Sequence, residues 1–338
     1  MSEAHRPGDY LEYREAASAI LSRESGDTAL KAFGLTELLD DVAPGQDLTP
    51  VYAFLEAQGL RVGSSSALAR LGLIGHRSRL DAVAAGTLLG WPMGEPWIAV
   101  PGWLPDVPVV VDRPGHGLVA AAGHAIRSRT PAGPVADDYL AVVDFDPADA
   151  VLVLDDDVMA AHRPAMLARV RLGAAAEILG LTSRILADAI AYTRVRRQFG
   201  NAVSSFQVVQ HLLAWAATER HQLESMFDLA VEHTVHHGPD RLLSAAVKAL
   251  AGRVLHVTVQ TAIQVTGAIS FTWEYSLNRP HQRALGLDQF AGSSAGLVLA
   301  LGREIRAGGT FPRVFGLSHD DRASPSLIDV EVTSGPEP

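Results

Sequence analysis

The residues best suited to chemistry form an arginine-rich segment in the second half of the chain. Arg194, Arg196 and Arg197 come directly before Phe199–Gly200, and Phe206–Gln207 follow a few residues later. The glycine and the change in pattern predict that one helix ends here and that another begins at Phe206. Guanidinium groups at such a corner can form charge-assisted contacts of fixed geometry to a phosphate. An arginine-rich run is more often a solvated helix end, so this segment alone leaves both interpretations open.

A second segment, Gln264–Tyr275, reads QVTGAISFTWEY and favours the phosphate interpretation. The two segments, in this order and separated by long helical patterns, resemble the C-terminal domain of the acyl-CoA dehydrogenase flavoenzymes. The first matches that family's R-x-x-F-G-x-x-x-x-x-F-Q run, and the second its Q-x-x-G-G-x-G-F-x-x-E-Y motif. Ala268 and Ser270 stand where the family has glycine. Because only glycine lacks a Cβ, the backbone is expected to approach a ligand less closely here.

The resemblance implies an FAD cofactor that is lodged mainly in a neighbouring subunit. In the family, the arginine corner grips the flavin pyrophosphate, and the glutamine and glycines of the second motif approach the adenine end. The flavin contacts implied for this chain are Arg196, Gln198, Phe199, Gln207, Gln264, Gly267 and Ala268.

Acyl-CoA dehydrogenation needs a carboxylate that removes the proton α to the thioester, while the flavin accepts a hydride from the β carbon. In most family members this carboxylate is the Glu of a Y-E-G-T motif, which falls here on Phe290–Ser293. Ala291 occupies the position of the base and cannot take a proton. Ser293 replaces the threonine, and the resemblance implies that its hydroxyl faces the flavin.

Some members carry the base directly before an arginine on the first C-terminal helix, a position that falls on Val170. Val170 cannot act as a base, whereas Arg171 matches the family and is a candidate for the substrate site. No catalytic residue is therefore assigned. Glu177 and Asp288 are two carboxylates that could serve as a relocated base, although a solvated or salt-bridged carboxylate is the commoner role.

The middle of the chain lacks the T-E-P-x-A-G-S-D and W-I-T/S segments with which the family holds the flavin ring. This pattern resembles the short subunits of α2β2 acyl-CoA dehydrogenases that some bacteria use on steroid CoA thioesters. We expect a subunit without its own base that works with a full-length acyl-CoA dehydrogenase subunit, an acyl-CoA substrate and an electron-transfer acceptor. Two alternatives stay open: a self-sufficient homo-oligomeric enzyme with a relocated base, and a non-catalytic structural relative without flavin.

Composition argues against several other classes of protein. The net charge of −10 and the pI of about 5.7 argue against nucleic acid as a partner. The chain has no cysteine, which rules out disulfides and zinc–thiolate sites, and His233, His236 and His237 lack a suitable carboxylate for a metal. Neither a signal peptide nor a long apolar run is evident. We expect a cytoplasmic protein without a metal and without membrane insertion.

Hydrophobic periodicity divides the chain into helical, extended and again helical parts. Residues 1–90 are predicted to form a shortened helical domain, ending in a helix at Asp81–Leu89, and residues 91–160 a reduced β domain. Residues 161–315 are predicted to form an antiparallel four-helix bundle, and residues 316–338 a disordered tail. Together with the resemblance, this gives a mainly α fold of the acyl-CoA dehydrogenase type with a small β middle domain.

The individual elements follow from turn residues and apolar runs. The strands are predicted at 97–100, 107–111, 117–122, 139–143 and 151–154. The bundle helices are predicted at 164–197, 206–237, 241–264 and 295–306.

Overall fold

Short helices build the N-terminal part of the protein. The structure is a computed structural model that describes residues 9–40, 46–76, 80, 86–94, 96–129, 139–272 and 275–309. The described helices of this part are α1 (Tyr10–Leu21), α2 (Gly26–Ala32), α3 (Leu35–Asp40), α4 (Thr49–Arg61) and α5 (Ala67–Leu71). Because α4 packs against both α1 and the first C-terminal helix, nearly all of its residues are buried.

A curled sheet follows the N-terminal helices. Its described strands are β1 (Leu88–Pro92), β2 (Ile98–Pro101), β3 (Val109–Arg113), β4 (Gly117–Ala121), β5 (Arg127–Arg129), β6 (Leu140–Asp144) and β7 (Ala150–Leu154). The strand order is β5-β6-β2-β1-β3-β4-β7. β1 and β3 pair in parallel, and the other neighbours are antiparallel. The predicted strands are confirmed with shifts of one or two residues at their ends.

The helix predicted at Asp81–Leu89 is wrong at its C-terminal end. Leu88 and Leu89 belong to β1, where they pair with Val109 and Val110 of β3; residues 81–85 lie outside the described residues. Both leucines are buried, and a short apolar run that is buried on both sides has no periodicity to separate strand from helix. The pairing with β3 therefore decides the conformation. β5 was not predicted either.

Long helices form the C-terminal part. They are α6 (Asp156–Val195), α7 (Gln207–His237), α8 (Arg241–Thr266), α9 (Asn278–Gln289) and α10 (Ser294–Arg306). The bounds predicted for α7, α8 and α10 are confirmed to within two residues. α9 was not predicted, although Pro280 in its first turn is a residue that favours a helix start. The predicted tail at 316–338 lies outside the described residues, and the domain boundaries stay predictions.

α6 begins well before the predicted start at Pro164. Asp155 is its N-cap residue with an extended backbone, and Asp156 and Asp157 lie in its first turn. Carboxylates at this end are favoured by the helix dipole, which explains why the helix begins at these three aspartates. Arg163 adds a bridge, because its guanidinium donates to Asp156 at 2.6 Å and to Asp112 of the sheet.

Two glycines allow α4 and α6 to meet backbone to backbone. A Cβ on Gly180 would overlap the carbonyl oxygen of Glu56, and a Cβ on Gly59 would overlap that of Glu177. The N-terminal helices and the bundle therefore share one continuous core. A larger side chain at either glycine would force the helices apart.

Two helical stretches are long and apolar enough, by composition, to cross a membrane. The first, Arg241–Phe271, is mostly buried inside the bundle, as expected of a core helix. The second, Asn278–Arg306, is interrupted between α9 and α10 by a turn at Phe290–Ser293. Such stretches are weak evidence for a membrane span.

Candidate functional site

The arginine corner folds as a tight hairpin at the end of α6. α6 ends at Val195, and Arg196 already has an extended backbone. The strands β8 (Arg197–Gln198) and β9 (Asn201–Ala202) pair in antiparallel register. Phe199 and Gly200 connect them with φ angles of 52° and 80°, the geometry of a two-residue turn that matches strand twist. The sequence prediction of a turn between two helices is confirmed, and the hairpin adds a fixed shape to it.

The side chains of this corner are free to contact a ligand or another subunit. Arg194, Arg196, Arg197 and Gln198 are exposed, and none of their side chains bonds to a described residue. Phe199 is 91% exposed, which is unusual for a phenylalanine in a fixed turn. The corner therefore presents several unpaired donors around an exposed aromatic ring.

The other predicted flavin contacts lie at the same end of the bundle. Gln207 is the first residue of α7, and Gln264 lies in the last turn of α8. These two ends are neighbours because α7 and α8 run antiparallel, with an ion pair between Glu219 and Arg253 that fixes their register. Both glutamine side chains are exposed and bond to no described residue.

Gly267 ends α8 with a φ of 73°, and Ala268 follows it on an exposed single turn of 3₁₀ helix. A Cβ on Gly267 would have open space around it. Within this chain, glycine is thus needed for its backbone conformation, and the surface beside it stays open. Tyr275, just beyond, packs edge to face on Tyr192 of α6 and holds this turn close to the arginine corner. Trp273 and Glu274 of the motif lie outside the described residues.

The turn that carries the family's base lies in a second region. Phe290 and Ala291 are fully buried between α9 and α10, and Ala291 has a φ of 60°. Arg171 of α6 donates from Nε to the Ala291 carbonyl oxygen at 3.1 Å. Ser293 is the N-cap of α10, and its hydroxyl oxygen accepts from the Gly296 amide at 3.2 Å. The hydroxyl proton of Ser293 remains available to a ligand.

Sequence reasoning missed Lys248, which is fully buried beside this turn. Its Nζ donates to the carbonyl oxygens of Asp288 at 3.0 Å and Gly292 at 3.4 Å. Burial lowers the pKa of Lys248 to about 8, and the nearby charge of Asp288 opposes that shift. A lysine on the buried apolar stripe of α8, between Val247 and Ala249, was the signal that could have identified it.

Arg171 keeps donors available at the same place. Burial lowers the pKa of Arg171 to about 10, so its guanidinium remains charged at neutral pH. Only Nε is bonded to a described residue, which leaves the two terminal amino groups for a ligand. The predicted substrate-site role of Arg171 stays a prediction. Val170, the alternative base position, is buried and apolar.

The two regions are far apart on one chain. Arg171 and Val195, the neighbour of Arg196, both lie on the continuous helix α6, and 24 residues at 1.5 Å each correspond to about 36 Å. A compact ligand pocket of at most ~1,000 Å³ is only about 12 Å across. The corner and the base turn of a single chain therefore belong to two different sites.

Each carboxylate considered as a relocated base has partners within this chain. Glu177 is fully buried, accepts from the Tyr139 hydroxyl at 2.7 Å and pairs with Arg283 at 3.8 Å. Asp288 is half-buried and accepts from the Ser294 amide at the start of α10, at 3.3 Å. Both carboxylates thus have structural partners.

The histidine residues near the end of α7 form no recognisable metal site. His233 and His237 stack at 4.8 Å between ring centroids, and burial lowers the pKa of His233. In the described part of the chain, no group of three or more metal-ligating side chains comes together.

Residues 164–305 match the family model described as acyl-CoA dehydrogenase, C-terminal domain. This part of the chain is similar to the C-terminal domain of the acyl-CoA dehydrogenases. The match contains both regions of the candidate site. It begins in the first quarter of α6 and ends in α10, so it also includes the unpredicted helix α9.

Individual relatives extend the likeness beyond that domain. Acyl-CoA dehydrogenase IpdE2 of Mycolicibacterium smegmatis is 23% identical over 277 residues, which cover 82% of this chain and 80% of the relative. Acyl-CoA dehydrogenase FadE34 of Mycobacterium tuberculosis is 35% identical over 122 residues, but these are only 17% of its length. The identity to FadE34 is thus higher than that to IpdE2, but it extends over a shorter segment.

Solved structures show that about nine tenths of the chain has the acyl-CoA dehydrogenase fold. A variant of the Tcur3481-Tcur3483 steroid ACAD superposes with a TM-score of 0.70 at 19% identity, covering 89% of this chain and 98% of the other. The ChsE4-ChsE5 complex from Mycobacterium tuberculosis gives a TM-score of 0.65 at 17% identity, covering 90% and 99%. The mainly α fold with a small curled sheet is confirmed.

Proposed function

We propose that this chain is the subunit without a catalytic base in a hetero-oligomeric, FAD-dependent acyl-CoA dehydrogenase. The observation that carries the proposal is the contrast between its two regions. The corner keeps the family's residues, all exposed and with polar side chains that bond to no described residue, whereas the base turn carries a buried alanine. A subunit of this kind can complete a flavin site on a neighbour but cannot remove the α proton of an acyl-CoA.

The residues of the corner fit the pyrophosphate and adenine end of a flavin. Arg196 supplies a guanidinium for charge-assisted bonds to phosphate, and Gln207 and Gln264 supply amides that bond to nothing else described. The open surface at Gly267 leaves room for a ligand to approach the backbone. Bound FAD would supply the hydride acceptor of the reaction, and these residues would bind and orient it from outside the partner's own pocket.

The proton chemistry then falls to the partner subunit. A general base must reach the proton that it removes, and the two family positions on this chain are apolar. At the second region, Arg171 and Ser293 retain donors that could hold the acyl thioester or the flavin, without taking a proton. A full-length partner would supply the carboxylate, the flavin-ring contacts of the middle domain and an electron-transfer acceptor surface.

Exposed apolar side chains near the corner support a partner at this end of the bundle. Val195, Val208 and Trp215 are 77%, 66% and 62% exposed, in addition to Phe199. Contiguous exposed apolar surface is typical of protein–protein interfaces. The partner would cover these side chains as it brings its flavin to Arg196.

A steroid CoA thioester is the acyl class that we favour. The structural neighbours include a steroid ACAD and a two-protein complex, and both superpose on nearly their full length. The reduced middle part of this chain would leave room for a bulky polycyclic acyl group.

Co-expression with a full-length acyl-CoA dehydrogenase subunit tests the proposal. We expect a stable hetero-oligomer with about one flavin per heterodimer, whereas the chain alone should hold little flavin. Mass determination and flavin absorbance measure both quantities. Purification of the chain alone as an active tetramer with one flavin per subunit would show that the partner is not needed.

A further inference from the structure

The helix α10 carries an apolar outer face that the described part of the chain leaves exposed. Its inner side packs on α8 through Leu297 and Leu301. On the outer side, Val298, Leu299 and Ile305 are 58%, 64% and 55% exposed. Three large apolar side chains side by side on a helix of 13 residues are typical of an interaction surface.

The outer face has the spacing of a helix that packs against another helix. Ala295, Val298, Gly302 and Ile305 follow one another at intervals of three, four and three residues, and all four are exposed. A Cβ on Gly302 would meet no described atom within 4 Å, and the φ of this glycine is not positive. Because glycine destabilises a helix interior relative to alanine, Gly302 is explained by the close approach of a second helix.

This seam of four residues is complementary to itself. When two copies cross antiparallel about a twofold axis at position 300, Ala295 lies opposite Ile305 of the second copy, and Val298 lies opposite Gly302. A small residue thus meets a large one at every step. A twofold axis repeats each of these contacts, as in the interfaces of symmetric dimers.

The charges of α10 favour the antiparallel direction. Arg303 and Arg306 lie in its last turn, and both are exposed. A parallel pair would bring four arginines to one end, where like charges repel. An antiparallel pair separates them to opposite ends.

The outer face of α10 leads away from the arginine corner. Ser294 lies beside Gly252 of α8, and Glu304 pairs with Arg241 at 2.9 Å, so α10 runs antiparallel to the first half of α8. Gly252 and Arg241 precede Gln264 by 12 and 23 residues, which correspond to about 18 and 35 Å along the helix. The face is therefore separate from the contact proposed at the corner.

We propose that the outer face of α10 binds the same face of a second copy of this chain, as an antiparallel pair about a twofold axis. A helix face about 20 Å long and 10 Å wide is smaller than the roughly 800 Å² that each partner of a stable complex buries. The isolated chain is therefore expected to dimerise reversibly. The same contact would join two heterodimers in the assembled enzyme, although the proposal needs neither the partner subunit nor flavin.

Sedimentation of the full chain compares Gly302→Leu with Ala300→Leu. The first leucine would occupy the place of Val298 of the second copy, so we expect dimerisation to weaken at least tenfold. Ala300 is the matched control, because it is exposed on the same helix but lies on the side away from the seam. Its variant should dimerise as the parent does. A parent that sediments as a monomer at every concentration, or equal dimerisation in Gly302→Leu, would contradict the proposal.

If the chain does not purify alone, the mass of the co-expressed complex gives the same answer. Gly302→Leu should halve the mass of the parent complex, and Ala300→Leu should leave it unchanged. A complex that holds no flavin would overturn the proposed function, whereas the effect of Gly302→Leu on the mass would still report on the α10 pair.

Single cysteines test the direction of the pair, since the chain has no cysteine of its own. Leu299 lies one residue from the proposed axis, so its two copies are offset by two residues, or about 3 Å along the helices. The two copies of Ala307 are offset by 14 residues, or about 21 Å. A short bismaleimide should therefore link two chains of Leu299→Cys but not two chains of Ala307→Cys.

Three other outcomes of the cysteine experiment would refute the proposal. Linkage through Ala307→Cys alone would indicate a parallel pair. Linkage of Leu299→Cys to a full-length partner subunit would assign the face to that subunit. A Leu299→Cys thiol that is protected in a monomeric chain would show that residues 310–338 of the same chain cover the face.

Discussion

The arginine corner and the base turn carry motifs of the same family in opposite states. At the corner, Arg196, Gln207 and Gln264 are exposed and bond to no described residue. At the turn, Phe290 and Ala291 are fully buried, and the surrounding cations bond to the backbone of this chain. Residues that match the family's motifs at the two regions therefore differ in how many of their polar groups remain available to a ligand. Donors at the corner are all available, whereas at the turn the Arg171 Nε and the Lys248 ammonium group already bond to backbone carbonyl oxygens.

The largest effect is expected from Glu177→Gln, which tests whether this chain carries a relocated catalytic base. The change leaves the buried Arg283 without its opposite charge, and breaking such a pair costs about 3–5 kcal/mol in the free energy of unfolding. Turnover of the assembled enzyme should stay within about tenfold of the parent. Urea unfolding and kcat measure the two effects.

Glu24→Gln is the control for that experiment, because Glu24 is exposed and its substitution should change neither quantity. A loss of ~10²–10⁴ in kcat for Glu177→Gln, with flavin still bound, would identify Glu177 as the base and remove the contrast between the two regions.

The second prediction concerns the pH dependence of stability through Lys248. Its pKa is about 8 in the folded chain against an ordinary value of 10.5, so the unfolded chain binds more protons between these values. The free energy of unfolding should therefore rise as the pH increases from about 8 to 10, by on the order of 2 kcal/mol. Below pH 8 both states are protonated, and this contribution is constant.

Comparison of urea unfolding in the parent and in Lys248→Met isolates this contribution. The charged groups that face Lys248 are Asp288 and Arg171, and because burial lowers the pKa of Arg171 to about 10, the deprotonation of Arg171 adds to the rise in both proteins near pH 10. Above pH 10 the raised pKa values of Tyr52 and Tyr275 lower stability in both proteins alike. Parallel curves for the two proteins between pH 8 and 10 would contradict the burial of a charged lysine.

The third prediction tests the corner through Arg196→Ala and Gln264→Ala. Loss of a charge-assisted contact to phosphate should weaken flavin binding by about 1.5–3 kcal/mol, or roughly ten- to a hundredfold. Since both side chains are exposed, the free energy of unfolding should hardly change. Flavin titration of the assembled complex measures the affinity.

Arg23→Ala, an exposed arginine next to α1, is the matched control and should bind flavin as the parent does. Equal flavin affinity in Arg196→Ala, Gln264→Ala and this control would show that the corner is only a solvated surface.

The smallest effect is expected from Asp288→Asn. Asparagine keeps an oxygen that can accept from the Ser294 amide, so stability should fall by about 1 kcal/mol or less. Turnover should remain within about tenfold. A much greater loss of kcat at constant flavin content would place the missing base on Asp288.

Part of the fold could be predicted from the sequence because the local signals agree with the tertiary structure. α7 and α8 end at glycines with positive φ, Gly238 and Gly267, and both helix ends were predicted to within two residues. β1 was missed because a buried apolar run has no periodicity of its own. α9 was missed because its composition is polar overall, although its few apolar residues fall on one face, and its burial depends on contacts with α6 and α8.

The sequence by itself determined which chemistry could be present. The order of the two motifs, the alanine at position 291 and the valine at position 170 are visible in the letters. Only the tertiary structure decided which side chains are still available. Burial and hydrogen bonding depend on residues far apart in the chain, such as Arg283 beside Glu177 and Lys248 beside Gly292. No local pattern specifies these distant partners, because they are brought together only when the helices pack.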